Sequence, residues 1–254
     1  MKMKTLNFNK VKRLTGKAVA DYRMITEGDR IMVGLSGGKD SMMLVHVLEA
    51  LRRRAPVNFE IEIVTFDPGF DGFEADEIAE YCKLQGWSHH TVAAPMESII
   101  REKKAENRPC LLCSRLRRGL LYKKADELKC GKVALGHNLD DIAVSLLISM
   151  FRGGGITTMS PNVPADEADL RIIRPLAYAP EDLVSAAAAE LELPVFGECA
   201  YKELLDEHGD RAYFMKLLTK INKKIPNVRQ HVLHSMQDVR PAYLLDLKFL
   251  NLSG

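Results

Sequence analysis

The sequence predicts an α/β protein: a mostly parallel sheet with helices on both faces and a short helical C-terminal appendage. Three observations carry this reading. Short apolar, β-rich runs alternate with segments of helical periodicity from about residue 30 to residue 191. A glycine-rich hexamer, Ser36-Gly37-Gly38-Lys39-Asp40-Ser41, stands where the first apolar run gives way to a helix. From about residue 200 the strand-like runs stop, leaving helical segments broken at Pro226 and Pro241. The chain therefore divides into a basic N-terminal helix over 1–29, an α/β domain with an inserted C-x-x-C over 30–199, and a helical appendage over 200–254.

Taken in order, the first 29 residues read as one amphipathic helix ending near Gly28-Asp29. A strand at 31–35 runs into the glycine hexamer, and a helix with Met42, Met43, Leu44 and Val45 follows to Leu51. Ile61, Ile63 and Val64 give the strand 59–66 its core face. Next come a helix at 74–85, a strand at 88–93, a helix at 113–129 and a strand at 132–135. A helix from about Asp140 to Phe151 is stopped by Gly153-Gly154-Gly155. Residues 153–170, with Pro161 and Pro164, read as a loop before a strand at 170–173 and a helix at 181–191.

Composition narrows the class. With 254 residues and 46% hydrophobic content, the chain can bury a sizeable core and is not a disordered protein. No apolar run approaches the ~18–20 residues of a membrane span. The N-terminus lacks the pattern of a secretory signal, so a soluble, cytoplasmic protein with no membrane partner is expected. The net charge of +2 conceals an uneven distribution. Residues 1–30 carry eight basic and three acidic side chains, 101–132 eleven and four, and 211–240 seven and one. Such windows serve either as solvated helix faces or, if folding joins them, as a polyanion-binding face.

The hexamer has the composition of a phosphate cradle. Adjacent glycines let backbone N–H groups approach an anion, and the helix that follows points its positive end at it. Ser36 and Ser41 add hydroxyls and Lys39 adds a positive charge. Asp40 would repel phosphate unless a cation lies between them, which suggests magnesium. The pattern is neither Walker A nor G-x-G-x-x-G. A tight strand–helix turn with an N-cap is the plainer alternative.

Five cysteines with no export signal argue against a disulfide framework. Cys110 and Cys113 form a C-x-x-C, whose spacing alone permits a redox pair, half a zinc site or iron–sulfur ligands. Arg115, Arg117 and Arg118 follow on a helix, where they favour thiolate and offer phosphate contacts. Cys82 and Cys130 fall within helical patterns and read as buried thiols.

The segment Val33-Gly34-Leu35-Ser36-Gly37-Gly38-Lys39-Asp40-Ser41 resembles the PP-loop of the ATP-pyrophosphatase superfamily. Leu135-Gly136-His137-Asn138-Leu139-Asp140-Asp141 is similar to a G-H-x-x-D-D segment of its tRNA-modifying branch. Pro109-Cys110-Leu111-Leu112-Cys113-Ser114-Arg115-Leu116-Arg117-Arg118-Gly119, with Arg174-Pro175-Leu176-Ala177-Tyr178 and the segment from Ser235 to Pro241, resembles the tRNA 2-thiocytidine synthetase family over nearly the whole chain.

The resemblance implies cleavage of ATP between its α- and β-phosphates, adenylation of the C2 oxygen of a tRNA cytidine, and replacement of that oxygen by sulfur. It implies ATP contacts from Leu35, Ser36, Gly37, Gly38, Lys39, Asp40, Ser41, Phe66 and Gly136. Catalytic roles fall to Lys39, Asp40 and Asp140, with Asp40 also on magnesium; Asp140-Asp141 otherwise reads as an ordinary helix N-cap. Adenine is expected near Thr65-Phe66-Asp67. Cys110, Cys113 and Cys199 would hold a [4Fe-4S] cluster, although Cys199 sits in Glu198-Cys199-Ala200-Tyr201 rather than the family's usual C-x-x-C-G-S-Q-like segment. Structural zinc on the same cysteines is the competing metal.

Lys10, Lys12, Arg13, Arg115, Arg117 and Arg118 are the expected tRNA contacts, with Lys216, Lys220, Lys223 and Lys224 adding support. Other partners implied are ATP and a sulfur donor, either free sulfide or sulfur from a cysteine desulfurase; a homodimer is compatible. The rival functions are thiolation of another base such as uridine, a tRNA ligase joining lysine to cytidine, and a non-catalytic nucleotide- and RNA-binding module with structural zinc.

Overall fold

The structure is a computed structural model that describes residues 5–102, 109–196 and 209–250. Its centre is a six-stranded sheet in the order β3-β2-β1-β4-β6-β5. The strands are β1 (Asp29–Gly34), β2 (Phe59–Asp67), β3 (His89–Ala93), β4 (Lys132–Ala134), β5 (Asn162–Pro164) and β6 (Arg171–Ile173). All pairings are parallel except β5 with β6. Registers such as Val33 opposite Ile63 and Ala134 align the carboxyl ends of β1, β2 and β4.

The period-2 alternation of strand side chains assigns each helix to a face. Ile31, Val33, Ile61, Ile63, Ala134 and Ile173 point to one side, where they pack with α1 (Leu6–Asp21), α2 (Lys39–Arg52), α3 (Ala75–Leu84) and α7 (Glu181–Glu190). Met32, Val64, Phe66, Val133 and Ile172 point to the other, under α4 (Met96–Glu102) and α5 (Pro109–Glu127). Helix α6 (Leu139–Phe151) carries the C-terminal pair α8 (Asp210–Asn222) and α9 (Val228–Gln237). Their shared cluster contains Ala143, Val144, Phe214, Leu218 and Val228.

Several expected boundaries move. The first helix ends at Asp21 rather than near Gly28: Arg23 turns the chain at φ 47°, which lets Met24 fold back into the core, fully buried. Helix α5 starts at Pro109, four residues earlier than read, because proline at the first helical position costs no hydrogen bond. The Cys110–Cys113 pair therefore occupies its first turn. The expected 153–170 loop contains β5, an edge strand short enough to tolerate Pro164. Helix α4 was not anticipated; its seven residues seat Met96 and Ile100, one turn apart, on the core.

Helices α1 and α5 lie on opposite faces of the sheet, so their two basic windows do not merge into one flat surface. Helix α1 is also part of the main core through Val11 and Ala18 rather than an appendage to it.

Candidate active site

Strand order reverses between β1 and β4: the chain runs outward from β1 to β2 and β3, then returns to lay β4 and β6 on β1's other side. Parallel sheets bind ligands in the crevice at such a point. A cavity of about 380 Å³ opens there, lined by Leu35, Ser36, Asp40 and Ser41 from the glycine turn and α2, and by Val64 and Phe66 from β2. Leu135, Gly136, His137 and Asp141 line the β4 side, and Arg117, Arg118 and Leu121 of α5 line another wall.

The glycine turn is built tightly. Gly37 has φ +79°, and a Cβ added there would lie 2.3 Å from the Phe196 carbonyl oxygen. The Phe196 N–H donates to the Gly37 carbonyl at 3.0 Å, so this backbone contact needs glycine. Gly136 is similarly pressed on the first turn of α2, where a Cβ would meet Asp40 C and Ser41 N at 3.1 Å. The Ser41 hydroxyl donates to the Gly38 carbonyl at 2.8 Å and accepts from the Ser36 N–H at 3.1 Å. Beneath the turn, Tyr81 packs edge-on against Phe196 and Trp87 and bonds His46 Nε2 through its hydroxyl at 2.9 Å.

Charge is concentrated just beyond. Lys39 Nζ lies 3.0 Å from Asp40 Oδ2 and 3.2 Å from Glu181 Oε1. Burial opposes its charge, but the two carboxylates outweigh it and hold its pKa above the ordinary lysine value. Burial raises the Asp40 pKa, with Asp141 and Glu181 adding to the rise and Lys39 opposing it.

Asp140 and Asp141 divide differently from expectation. The Asp140 carboxylate is turned away into the fold, where it accepts from the Glu181 N–H at 2.8 Å and pairs with Arg229 of α9. Asp141 is the member that lines the cavity. It also closes a capping box with Asn138, accepting the Asn138 N–H at 3.0 Å, and pairs with Arg211 of α8 at 2.6 Å. The N-cap reading of Asp141 and a place at the cavity thus hold together. Both C-terminal helices are tied to this one motif through arginines, Arg211 and Arg229, that sequence reasoning did not single out.

Of the expected ATP contacts, Leu35, Ser36, Asp40, Ser41, Phe66 and Gly136 line the cavity; Gly37, Gly38 and Lys39 stand behind it in the turn. Of the expected tRNA contacts, Arg117 and Arg118 line the cavity, whereas Lys10 and Arg13 are exposed on α1 and Lys12 lies over the Phe8 ring. The side chains of Cys110, Cys113 and Arg115 fall outside the description, and Cys199 lies outside the described residues. Among the described residues, no three His, Cys, Asp or Glu side chains converge as a metal site. Cys82 and Cys130 are buried, and burial pushes both thiols up to about 11, so neither is poised as a ligand. Magnesium asks less of a protein: one or two carboxylates with water and substrate phosphates suffice, and Asp40 and Asp141 in one cavity fit that donor set.

A glycine-built anion cradle at the switch point of a parallel sheet defines a nucleotide-binding α/β protein. The model of the PP-loop domain family matches residues 7–194. A protein of Geobacter sulfurreducens named tRNA-cytidine(32) 2-sulfurtransferase is 42% identical over 97% of this chain and 96% of its own length. One of the same name from Geobacter metallireducens is 41% identical over 94% and 93%. Among solved structures, the U34-tRNA thiolase NcsA from Methanococcus maripaludis, described with its [4Fe-4S] cluster, superposes with a TM-score of 0.74. It is 22% identical and covers 91% of this chain and 78% of its own, which is a likeness of fold. The chain belongs to the PP-loop family and, within it, to the tRNA-cytidine 2-sulfurtransferases. No helix among the described residues is long and apolar enough to cross a membrane.

Proposed function

We propose that this protein thiolates cytidine 32 of tRNA at C2, consuming ATP to AMP and pyrophosphate. The observation that carries the reading is the single cavity holding the glycine turn, Asp40, Asp141 and two α5 arginines, in a chain 42% identical to a tRNA-cytidine(32) 2-sulfurtransferase. The backbone N–H groups of the turn and the start of α2 receive the nucleotide's phosphates, and Phe66 and Val64 offer an apolar wall to its base. Asp40 and Asp141 would hold magnesium, which would supply positive charge to offset that of the phosphates. Lys39, kept charged by Asp40 and Glu181, supports the charge that develops as pyrophosphate leaves. Attack by the cytidine O2 on the α-phosphorus breaks the α–β bond, and O2 later departs with AMP as sulfur takes its place on C2.

The remaining cysteines suit a cluster with three protein ligands. Cys110 and Cys113 stand three residues apart at the start of α5, a spacing that suits a shared metal centre. Cys199, which lies outside the described residues, is the third ligand that the family resemblance implies. Cys110, Cys113 and Cys199 would hold a [4Fe-4S] cluster, which would supply a binding site for the incoming sulfide that replaces the oxygen.

The test is reconstitution under anaerobic conditions with iron and sulfide, then incubation with unmodified tRNA transcript, ATP, magnesium and sulfide. Nucleoside mass spectrometry should find 2-thiocytidine at position 32 only when ATP is present. Full activity of zinc-loaded protein, 2-thiouridine as the product, or lysine joined to cytidine would each overturn the reading.

A further inference from the structure

Arg174 stands out as a partly buried cation with no counter-ion among the described residues. It follows β6, so it sits at the carboxyl end of the sheet, two strands from the glycine turn, or roughly 10 Å at ordinary strand spacing. One Nη donates to the Ser160 carbonyl, while Nε is buried with no partner. No carboxylate among the described residues pairs with it, and burial pulls its pKa below the usual guanidinium range. Its ionisable neighbours are the Tyr122 hydroxyl on α5 and the His137 ring.

His137 repeats the pattern. It lines the cavity, its Nδ1 is buried and unpartnered, and burial followed by the Arg174 charge holds its pKa below the ordinary histidine value. Arg117 and Arg211 lie close enough to act on the same ring in the same direction; Asp141 alone opposes them.

A polar atom buried without a partner is costly, and folds satisfy such atoms unless a ligand does so. His137 shares the nucleotide cavity but stands across it from the glycine turn, beyond β4, and Arg174 lies one strand further along, beyond β6. We propose that Arg174 and His137 form a second phosphate-binding subsite, which takes a backbone phosphodiester of the tRNA beside the nucleotide being modified. Arg174 grips the phosphate oxygens, and His137 offers a ring nitrogen to the same phosphate or the adjoining ribose. A target base drawn out of its loop needs its flanking backbone clamped, and the β6 end of the crevice borders the nucleotide cavity through His137. The inference rests on the tRNA reading above; the phosphate chemistry by itself would also suit ATP, so the test separates the two.

The full-length protein, Arg174→Gln and Arg174→Lys are compared for binding of unmodified tRNA transcript and, separately, of ATP with magnesium. Arg174→Gln should weaken tRNA at least tenfold, lower the slope of log affinity against log salt by about one, and leave ATP binding within twofold. Arg174→Lys should recover part of the tRNA affinity, because charge survives without the planar fork. Thermal stability of Arg174→Gln should stay close to that of the parent, since the side chain is partly exposed and its buried Nε has no partner to lose.

Loss of ATP affinity with tRNA binding intact assigns the arginine to the nucleotide and overturns the proposal. So does unchanged binding of both ligands, or a lower Tm with both affinities reduced and no recovery in Arg174→Lys. Failure of the parent protein to bind tRNA counts against the functional reading instead, which keeps the two failures apart.

Discussion

The two sides of the switch-point crevice are made by different means. On the β1 side, recognition is backbone: one turn of six residues, pressed by Phe196 on one flank and Gly136 on the other, with its serines bonded to each other. On the β4 and β6 side, recognition is side chain: Asp141 and His137 beyond β4, Arg117 and Arg118 from α5, Arg174 beyond β6 and Arg211 from α8. The first side is local in sequence and leaves no room for an added atom at Gly37. The second is assembled from distant segments and depends on those segments staying docked. Backbone cradles suit a ligand present in every turnover, while charge gathered by tertiary packing suits a large polyanion that arrives and leaves.

The contrast is broken most severely at Gly37. A Gly37→Ala substitution adds a Cβ at φ +79° that meets the Phe196 carbonyl at 2.3 Å. Left-handed strain and overpacking together should cost about 3 kcal/mol, or roughly a hundredfold in nucleotide affinity. Isothermal titration with ATP and magnesium measures it, and a change below threefold would show that the turn is more pliable than described.

The side-chain half breaks next at Arg229. Arg229→Gln leaves the Asp140 carboxylate, 4% exposed, without its cation. Loss of one partner from such a buried pair should destabilise the fold by about 3 kcal/mol, read from urea unfolding. By comparison, Arg211→Gln removes a cation that is 55% exposed and should cost about 1 kcal/mol or less. Equal effects of the two would mean that the C-terminal helices are held by their apolar contacts with α6 and not by the buried pair.

Acid probes the support under the glycine turn. Burial holds the His46 ring down at about 4, against an ordinary value near 6.5. Its neutral form therefore contributes stability that is complete above pH 6.5 and is lost as pH falls toward 4, by about 3 kcal/mol in all. Urea midpoints between pH 8 and pH 4.5 should fall accordingly, and less steeply in His46→Gln.

The smallest effect is expected at Cys82 and Cys130. With thiols at about 11 they stay protonated at neutral pH. Serine in both positions should leave the iron content and thiolation rate within twofold, measured on reconstituted protein.

This contrast also separates what the sequence discloses from what it hides. Residues 36–41 announce themselves as a glycine turn between a strand and a helix, whereas Gly136 and Phe66 came with the family resemblance. Arg211 and Arg229 looked like ordinary solvated cations on basic helices; only the packing of α8 and α9 on α6 brings them to Asp141 and Asp140. Asp140 and Asp141 are adjacent, so spacing could not decide which one turns to the cavity; the capping box decides it for Asp141. The opposed placement of α1 and α5 follows from strand alternation that the charge windows alone do not encode. Arg174 carried no signal of its unpaired state, since isolation is a property of neighbours.

Adenylation of a tRNA base in this crevice leaves its mark in the nucleotide products. Reconstituted protein, unmodified tRNA transcript, sulfide and ATP labelled on the α-phosphate should release one AMP and one pyrophosphate for each 2-thiocytidine formed, with neither appearing when tRNA is left out. Release of ADP and phosphate, or thiolation without AMP, would contradict the account.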